Sequence, residues 1–219
     1  MKTASVKLFV SESIGSVSAE LIAPDKPASV LSLAHGAGAG MNHPFMKSMA
    51  AELAGVGIAS LRFNFPFAEQ KKNRPDFPAV AHKTIEAALI KTHELFPGLP
   101  LFASGKSFGG RMSSQYLSAG GLDFVKGIVF LGFPLHPAGK PSTERAEHLS
   151  GVQVPMLFLQ GTSDTLAEWA LIEQVTRKLD LATLQKIEGA DHSFKKGKEN
   201  LIPMLALDTM RWIDGLEKK

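Results

Sequence analysis

The sequence predicts an α/β fold, a mostly parallel sheet of about eight strands with helices on both of its faces. Three observations lead to this prediction. From about residue 30 onward, short apolar runs bounded by turn residues recur along the chain. Segments whose apolar residues follow a helical period separate these runs, and two further runs joined around Gly15 precede residue 30. Strands that alternate with helices connect by right-handed crossovers, which arrange the strands in parallel.

The strands are predicted in chain order from these apolar runs. Ser5–Val10 and Val17–Ile22 are expected to form an antiparallel hairpin at the edge of the sheet. Six buried strands follow, and they are predicted at Val30–Ala34, Ala59–Phe63, Pro100–Ala103, Gly127–Phe133, Val154–Leu159 and Thr183–Ile187.

Helices are predicted between the strands because apolar residues fall on one face there. The first covers roughly residues 44–55 and presents Met46, Met49 and Leu53. Later faces consist of Ile85, Ala88, Leu89, Thr92 and Phe96, of Leu171, Ile172, Val175 and Leu179, and of Ile202, Leu205, Thr209, Ile213 and Leu216. Only Pro66–Pro78 and Pro134–Gly151 are long enough to be irregular, and loops of this length often carry function.

Composition excludes several classes of protein. Hydrophobic residues make up 44% of the 219 residues and charged residues 21%, so the chain is able to bury a core. Lys plus Arg exceed Asp plus Glu by 24 − 21 = 3 without a long basic run, which argues against a nucleic-acid binder. The absence of cysteine excludes disulfides, thiolate zinc sites and a cysteine nucleophile. Neither a signal-peptide core nor a membrane span is found, so we expect one cytoplasmic domain over residues 1–219.

The most informative motif stands where a predicted strand ends and a helix begins. Gly105-Lys106-Ser107-Phe108-Gly109 is a G-x-S-x-G pattern in a strand–turn–helix context. The turn must be tight for the Ser107 hydroxyl to project above the sheet, and side chains at the two glycine positions would collide with neighbouring backbone. The alternative is a glycine-rich turn with an incidental serine. Pattern and context together favour a nucleophile.

A nucleophilic serine needs a base and a group that orients the base. Asp164 follows the predicted strand that ends near Leu159, and His192 follows the next one. Both therefore lie at the carboxyl edge of the sheet with Ser107, in the chain order serine, acid, histidine. Asp191 and Glu188 remain alternative acids. Among the other histidines, His35 is expected to hold its loop together, His43 and His136 precede the acid and are candidates for the pocket wall, and His82, His93 and His148 are expected to be solvated or packed.

Acyl chemistry also needs N–H donors for an oxyanion. One is the backbone N–H of Phe108, directly after the serine. The second is expected from the small-residue loop His35–Gly40, with Ala37 as the first choice and Gly38 as the next.

These motifs together resemble the α/β-hydrolase superfamily, in particular its compact dienelactone-hydrolase-like branch. HGAGAG, GKSFGG, the G-T-S-D turn and A-D-H-S-F carry the resemblance from about residue 17 to the C-terminus. The phrases LAHGAGAGMNHPFM and FPLHPAGKP resemble a bacterial group within that branch, to which a hydrolase-like subunit of an animal histone-acetyltransferase complex is distantly related. Dienelactone hydrolases proper use cysteine at the elbow, whereas this chain has Ser107, so the resemblance does not carry lactone specificity.

The resemblance implies an α/β-hydrolase fold, Ser107, Asp164 and His192 as a triad, and ester-type substrates. Lids in this fold usually follow the sixth strand, where only Pro134 to about Gly151 is available, so no cap domain is expected. The cleft would then be open and walled by residues 64–78 and 134–142. Candidate substrate-binding residues are His43, Phe65, Phe67, Leu135 and His136, although each of the loop residues is equally able to pack against the core.

The function that follows is a serine hydrolase acting on a small-molecule carboxylic ester or thioester, with no cofactor and no metal required. A catalytically silent interaction module with the same fold is the alternative. Nucleotide binding is disfavoured, because Met41 and Pro100 stand where the two phosphate-binding glycine motifs require glycine. The oligomeric state does not follow from the sequence.

Basic residues also occur in the predicted cleft walls. Lys71, Lys72 and Arg74 stand in one loop, Lys140 in the other, and Lys106 beside the serine. If they gather at the rim, they favour anionic esters. The alternative is that each is a solvated surface residue.

Overall fold

A computed structural model describes residues 1–217 and contains ten strands. The strands are β1 Lys2–Ser11, β2 Gly15–Ala23, β3 Ser29–Ala34, β4 Ile58–Phe63, β5 Leu101–Lys106, β6 Val125–Leu131, β7 Met156–Gly161, β8 Ala182–Ile187, β9 Lys195–Lys196 and β10 Glu199–Asn200. Each of the eight predicted strands is present, with its ends shifted by a few residues. The short hairpin β9–β10 was not predicted, because its residues are polar and carry no apolar alternation.

The described residues contain six α-helices, of which five lie between strands and the last follows the final strand. They are α1 Pro44–Gly55, α2 Pro66–Glu69, α3 Pro78–Leu95, α4 Phe108–Ser118, α5 Trp169–Thr176 and α6 Ile202–Glu217. A 3₁₀ helix spans Glu144–Gly151. The two stretches expected to be irregular thus contain α2 and this 3₁₀ helix. None of the described helices is long and apolar enough to cross a membrane.

Eight strands form one sheet in the order β1-β2-β4-β3-β5-β6-β7-β8. The hairpin β1–β2 is antiparallel and joins β4 in antiparallel pairing, while every pair from β4 to β8 is parallel. This arrangement confirms the predicted fold class, with the hairpin at the edge.

Apolar side chains fill both faces of the sheet. On one face, α1 and α6 contribute Met49, Leu53 and Leu205 to a core with Leu31 and Leu33 of β3. On the other face, α3 and α4 pack on the sheet through residues that include Ile85, Leu89 and Met112. Alternate residues of β3 enter the two cores, as the period of two in a strand requires.

The parallel register aligns the carboxyl ends of the central strands. Ala34 of β3 pairs with Gly105 of β5, and Lys106 pairs with Leu131 of β6. Farther along the sheet, Gly161 of β7 pairs with Ile187 of β8. The loops that follow β3, β5, β7 and β8 therefore meet at one edge, which is where open α/β sheets bind their ligands.

Two glycines allow α4 to begin directly against the sheet. A Cβ on Gly109 would lie 2.6 Å from the His35 carbonyl oxygen and 2.7 Å from Ala34 Cβ. A Cβ on Gly105 would lie 2.3 Å from the Gly110 nitrogen. These distances are far below van der Waals contact with atoms that are unable to move freely, so any side chain would push the start of α4 away from β3 and β5.

We therefore expect Gly109→Ala to lower the free energy of unfolding by about 1–3 kcal/mol, the usual cost of overpacking. The matched control is Gly215→Ala in α6, where a Cβ meets nothing within 4 Å. That change is expected to raise stability by up to about 1 kcal/mol, because alanine favours the helix. Urea unfolding of both variants measures the difference. Equal stabilities for the two variants would contradict the packing argument.

Candidate active site

Ser107 lies at the turn between β5 and α4, as predicted. Its backbone has φ 49° and ψ −114°, a conformation that residues other than glycine seldom adopt. The turn is held because Ser107 N–H donates to the Leu131 carbonyl at 3.3 Å and the Ser107 carbonyl accepts from Arg111 N–H at 3.1 Å. Such strain persists only where the surroundings enforce it, and it directs the side chain away from the sheet.

The structure brings the three predicted residues into one hydrogen-bonded chain. His192 Nε2 lies 2.8 Å from Ser107 Oγ, and His192 Nδ1 lies 2.7 Å from Asp164 Oδ2. Because a carboxylate only accepts, Nδ1–H donates to Asp164, which leaves Nε2 to accept from the serine hydroxyl. The Asp164 side chain is 1% exposed and that of His192 is 22% exposed, so the chain runs from the interior to the cleft.

Asp164 is held by two further donors that sequence reasoning missed. Gln160 Nε2 donates to Oδ2 at 2.7 Å, and Leu166 N–H donates to Oδ1 at 2.8 Å. The Gln160 carbonyl oxygen in turn accepts from Phe133 N–H at 2.8 Å, so this amide is fixed at both ends. The signal available in the sequence was one polar residue, Gln160, at the end of an apolar run and four positions before Asp164. The structure shows that this residue is fully buried near the end of β7.

The alternative acids lie in other environments. Asp191 Oδ1 accepts from the N–H groups of Ser193 and Lys195, both at 2.8 Å, and so stabilises the turn that contains His192. Glu188 forms an ion pair with Lys186 at 2.6 Å. Of the three candidate acids, Asp164 is the one that reaches His192.

The residues predicted to supply the oxyanion donors all border the open space beside Ser107. Phe108 is the first residue of α4, so its N–H has no acceptor within the helix. Ala37 and Gly38 lie in a turn, and among the described residues no carbonyl accepts from either N–H group. Ala37 borders the space on both sides of Ser107, whereas Gly38 borders one side and is exposed. This placement favours Ala37 over Gly38.

His35 ties the small-residue loop to the sheet, as predicted. Its Nε2 accepts from Phe65 N–H at 3.0 Å, so Nδ1 carries the proton and donates to the Gly36 carbonyl at 2.8 Å. Burial lowers the pKa of His35 to about 4, which keeps the ring neutral near pH 7.

Four of the five predicted substrate-binding residues lie in the interior instead. Phe65, Phe67, Leu135 and His136 are all at most 2% exposed, so the prediction that they line the cleft is wrong. The two phenylalanines pack around the Phe108 ring, with centroids 5.3 and 6.1 Å away. His136 Nε2 accepts from Glu168 N–H at 3.0 Å and Nδ1 lies 2.9 Å from the Pro137 carbonyl, so its ring joins two loops. These residues support the site from beneath.

The open space beside Ser107 has two halves that share Ala37, Ser107 and Leu166. The larger half is a cavity of about 860 Å³ bordered by the start of α1, including His43, and by residues 192–202. The smaller half is a cavity of about 480 Å³ bordered by residues 74–78 and by Pro134 and Pro137. The two predicted loops thus wall only the smaller half. The polar β9–β10 segment was not expected at the cleft.

Lys106 borders the larger half of the cleft, but its ammonium group does not stand at the rim. Its Nζ is buried, has no hydrogen-bond partner among the described residues and lies 5.5 Å from the centre of the Phe194 ring. Burial lowers the pKa of Lys106 to about 8, and the charges of Asp164 and Asp191 partly oppose that shift. Of the other basic residues expected at the rim, Arg74 borders the cleft, whereas Lys71, Lys72 and Lys140 are exposed and border neither half.

Lys106→Met is expected to raise the unfolding temperature at pH 7, because it removes a charge that is buried without a partner. Folding lowers the pKa from its ordinary 10.5 to about 8, so the cost of the charge is full below pH 8 and disappears as the pH approaches 10.5. Thermal unfolding between pH 6.5 and 10.5, with the exposed Lys126→Met as control, tests this. A variant less stable than wild type at pH 7 would contradict it.

Comparison with known proteins places this site in a family. A family model described as an alpha/beta hydrolase domain matches residues 27–202. The chain is similar to a dienelactone hydrolase from Anabaena variabilis, with TM-score 0.79, 19% identity and coverage of 98% of this chain and 97% of that one. It is also similar to an α/β serine hydrolase without a lid from Xanthomonas campestris, with TM-score 0.75, 21% identity and coverage of 97% and 95%.

A third similar structure is an alpha-beta serine hydrolase homologue from Coxiella burnetii, with TM-score 0.77, 18% identity and coverage of 97% and 98%. At these identities the solved structures establish the fold, and the family model covers far more than half of the chain. Together with the sheet order and the absence of a cap among the described residues, the match confirms the resemblance drawn from the motifs. The chain belongs to the alpha/beta hydrolase domain family.

Proposed function

We propose that this protein is a serine hydrolase that cleaves carboxylic ester or thioester bonds of small molecules. Family membership supports a hydrolase. The observation that carries the finer proposal is the hydrogen-bonded chain from Asp164 through His192 to Ser107, with both contacts at 2.7–2.8 Å. This hydrogen-bonded arrangement places His192, the base, within reach of the Ser107 hydroxyl. Asp164 holds His192 in the tautomer whose Nε2 accepts a proton.

In the first half of the reaction, Ser107 Oγ attacks the carbonyl carbon while His192 Nε2 takes the hydroxyl proton. The Asp164 carboxylate stabilises the imidazolium that results. The N–H groups of Phe108 and Ala37 donate to the oxygen that becomes negative, an interaction of roughly 3–4 kcal/mol per donor in proteases. When the carbonyl re-forms, the bond to the leaving group breaks, and His192 gives its proton to the departing alcohol or thiol.

The second half repeats these steps with water. His192 takes a proton from the water, whose oxygen attacks the acyl carbon of the Ser107 ester. Collapse of the intermediate breaks the bond to Ser107 Oγ, and the proton on His192 returns to that oxygen. The carboxylic acid leaves through the open cleft. Every proton is handled by side chains of this chain, so the cycle needs no cofactor.

Ser107→Ala tests both the nucleophile and the alternative of a silent module. A fluorophosphonate probe should label the wild type at Ser107, and the variant should lose labelling together with at least about 10³-fold of kcat/KM on a chromogenic ester. Ser118→Ala, at the far end of α4, is the control for an innocuous serine change. Folded wild-type protein that neither reacts with the probe nor turns over esters would favour the silent module. If Ser107→Ala kept about a tenth of the wild-type turnover, another residue would be the nucleophile.

Substitution of Asp164 and of Asp191 tests which carboxylate orients His192. Asp164→Asn should lower kcat by orders of magnitude, about 10⁴-fold in the protease precedent, because an amide favours the wrong histidine tautomer. Asp191→Asn should cost far less, since within the described part of the chain that side chain accepts only from backbone N–H groups of its own turn. Steady-state kinetics on one ester give the ranking, and the reverse order would show that Asp164 is not the orienting group.

A further inference from the structure

The smaller half of the cleft is bordered by three arginines. Arg111 lies in α4, one helical turn after Ser107, and Arg145 lies in the 3₁₀ helix. Arg74 lies in the loop before α3. All three border the cavity of about 480 Å³ that Ser107 and Phe108 also border. Side chains from three distant segments thus bring positive charge to one side of the serine.

Their surroundings differ from those of every other arginine in the chain. Arg62, Arg177 and Arg211, which lie away from the cleft, each form an ion pair, with Glu20, Glu173 and Asp208 respectively. Among the side chains that the structure describes, those of residues 1–216, no carboxylate lies within ion-pair distance of Arg74, Arg111 or Arg145. The chain therefore supplies counter-ions to its arginines except beside Ser107.

The contacts these arginines do make leave donors free. Arg145 Nη1 donates to the Pro134 carbonyl at 3.4 Å, and the Arg74 guanidinium lies 5.3 Å from the centre of the Phe77 ring. Of the described residues, Asp76 alone brings a carboxylate to this cavity, and its Oδ2 accepts from Phe67 N–H at 3.1 Å. A guanidinium has five N–H donors, so most of them are available to a ligand.

Arg111 and Arg145 also repel each other. Partial burial lowers the pKa of Arg111, and the charge of Arg145 adds to that effect. Two like charges close together and partly removed from water are unfavourable until an anion lies between them. Planar guanidinium groups match the oxygens of carboxylates and phosphates in paired hydrogen bonds, which a point charge such as lysine does not.

We propose that Arg74, Arg111 and Arg145 form a subsite that binds an anionic oxygen group of the substrate, a carboxylate or a phosphate, beside the bond that Ser107 attacks. This rests on the proposed function and narrows it to esters or thioesters that carry negative charge. The rest of the substrate then lies toward the larger half of the cleft. The arginines replace the lysine-rich rim expected from the sequence as the source of that preference.

Matched pairs of esters test the subsite by catalysis. One pair is mono-4-nitrophenyl adipate and 4-nitrophenyl hexanoate, with the charge on the acyl group. The other is 4-carboxyphenyl and 4-carbamoylphenyl hexanoate, with the charge on the leaving group. For at least one pair, the anionic-to-neutral ratio of kcat/KM should fall about 10-fold or more in Arg111→Gln and Arg145→Gln. The control is Arg177→Gln. Arg177 lies away from the cleft at the end of α5, where it forms an ion pair with Glu173, so this variant should keep the wild-type ratio.

The ratio cancels intrinsic reactivity and any general damage to the enzyme. Arg74→Gln, on an exposed loop, provides a third variant if a change at a more buried position impairs folding. The ratio should also fall with salt between about 20 and 300 mM. The proposal would be overturned if, for both pairs of esters, the anionic-to-neutral ratio of kcat/KM in all three variants equalled that of the wild type.

Binding without turnover separates the subsite from the chemistry. Calorimetric titration of Ser107→Ala with adipate and with phenyl phosphate should show binding of at least one, weakened about 10-fold or more when Arg111→Gln is added. Tighter binding of one of the two identifies the carboxylate or the phosphate as the preferred group. Arginine-dependent binding in a protein that hydrolyses no ester would retain the subsite and reject the hydrolase. Ester hydrolysis with no arginine-dependent binding or preference would do the reverse.

Discussion

The contact between the start of α4 and the ends of β3 and β5 is the constraint on which the site depends. No side chain separates the helix from these strands, because glycines occupy 105 and 109. This close approach forces Ser107 into its positive-φ conformation and holds the Phe108 N–H beside it. The same packing fixes the first turn of α4, and hence the point from which Arg111 extends. One steric requirement thus sets the nucleophile, an oxyanion donor and part of the cleft wall.

Buried polar side chains then fix the loops around this turn. His35 links the loop after β3 to the backbone after β4, and His136 links the loop after β6 to the start of α5. Gln160 joins Asp164 to the backbone of Phe133. Each of these side chains has a hydrogen-bond partner at both ends, so none of them leaves a buried polar atom unsatisfied. The loops are thereby held in one conformation. Lys106 is the exception, and its neighbourhood with Asp164 and Phe194 is the least satisfied part of the site.

Much of this arrangement could be predicted from the sequence, because it follows from local pattern and chain order. Apolar period gave the strands and helices, and G-x-S-x-G with a later aspartate and histidine gave the residues that meet at the sheet edge. Burial of particular loop residues could not be predicted, since Phe65 or Phe67 fits a core and a cleft equally well. The arginine subsite could not be predicted from sequence patterns either, because residues 74, 111 and 145 are far apart in the chain and border the same cavity only in the folded protein.

Two histidines that folding partly or fully removes from water, His35 and His148, make the stability of the fold sensitive to acid. Burial lowers the pKa of both His35 and His148 to about 4, whereas each has its ordinary value of 6.5 in the unfolded chain. Between pH 6.5 and 4 the unfolded chain therefore binds protons that the folded chain does not, so acidification across that window favours unfolding. Below pH 4 both forms are protonated and this contribution stays constant. Mild acid thus destabilises the fold through two rings, that of His35, which links the loop after β3 to the backbone after β4, and that of His148, whose Nε2 lies 2.7 Å from Ser114 Oγ of α4. An acidified environment would weaken both links while leaving the rest of the sheet as it is.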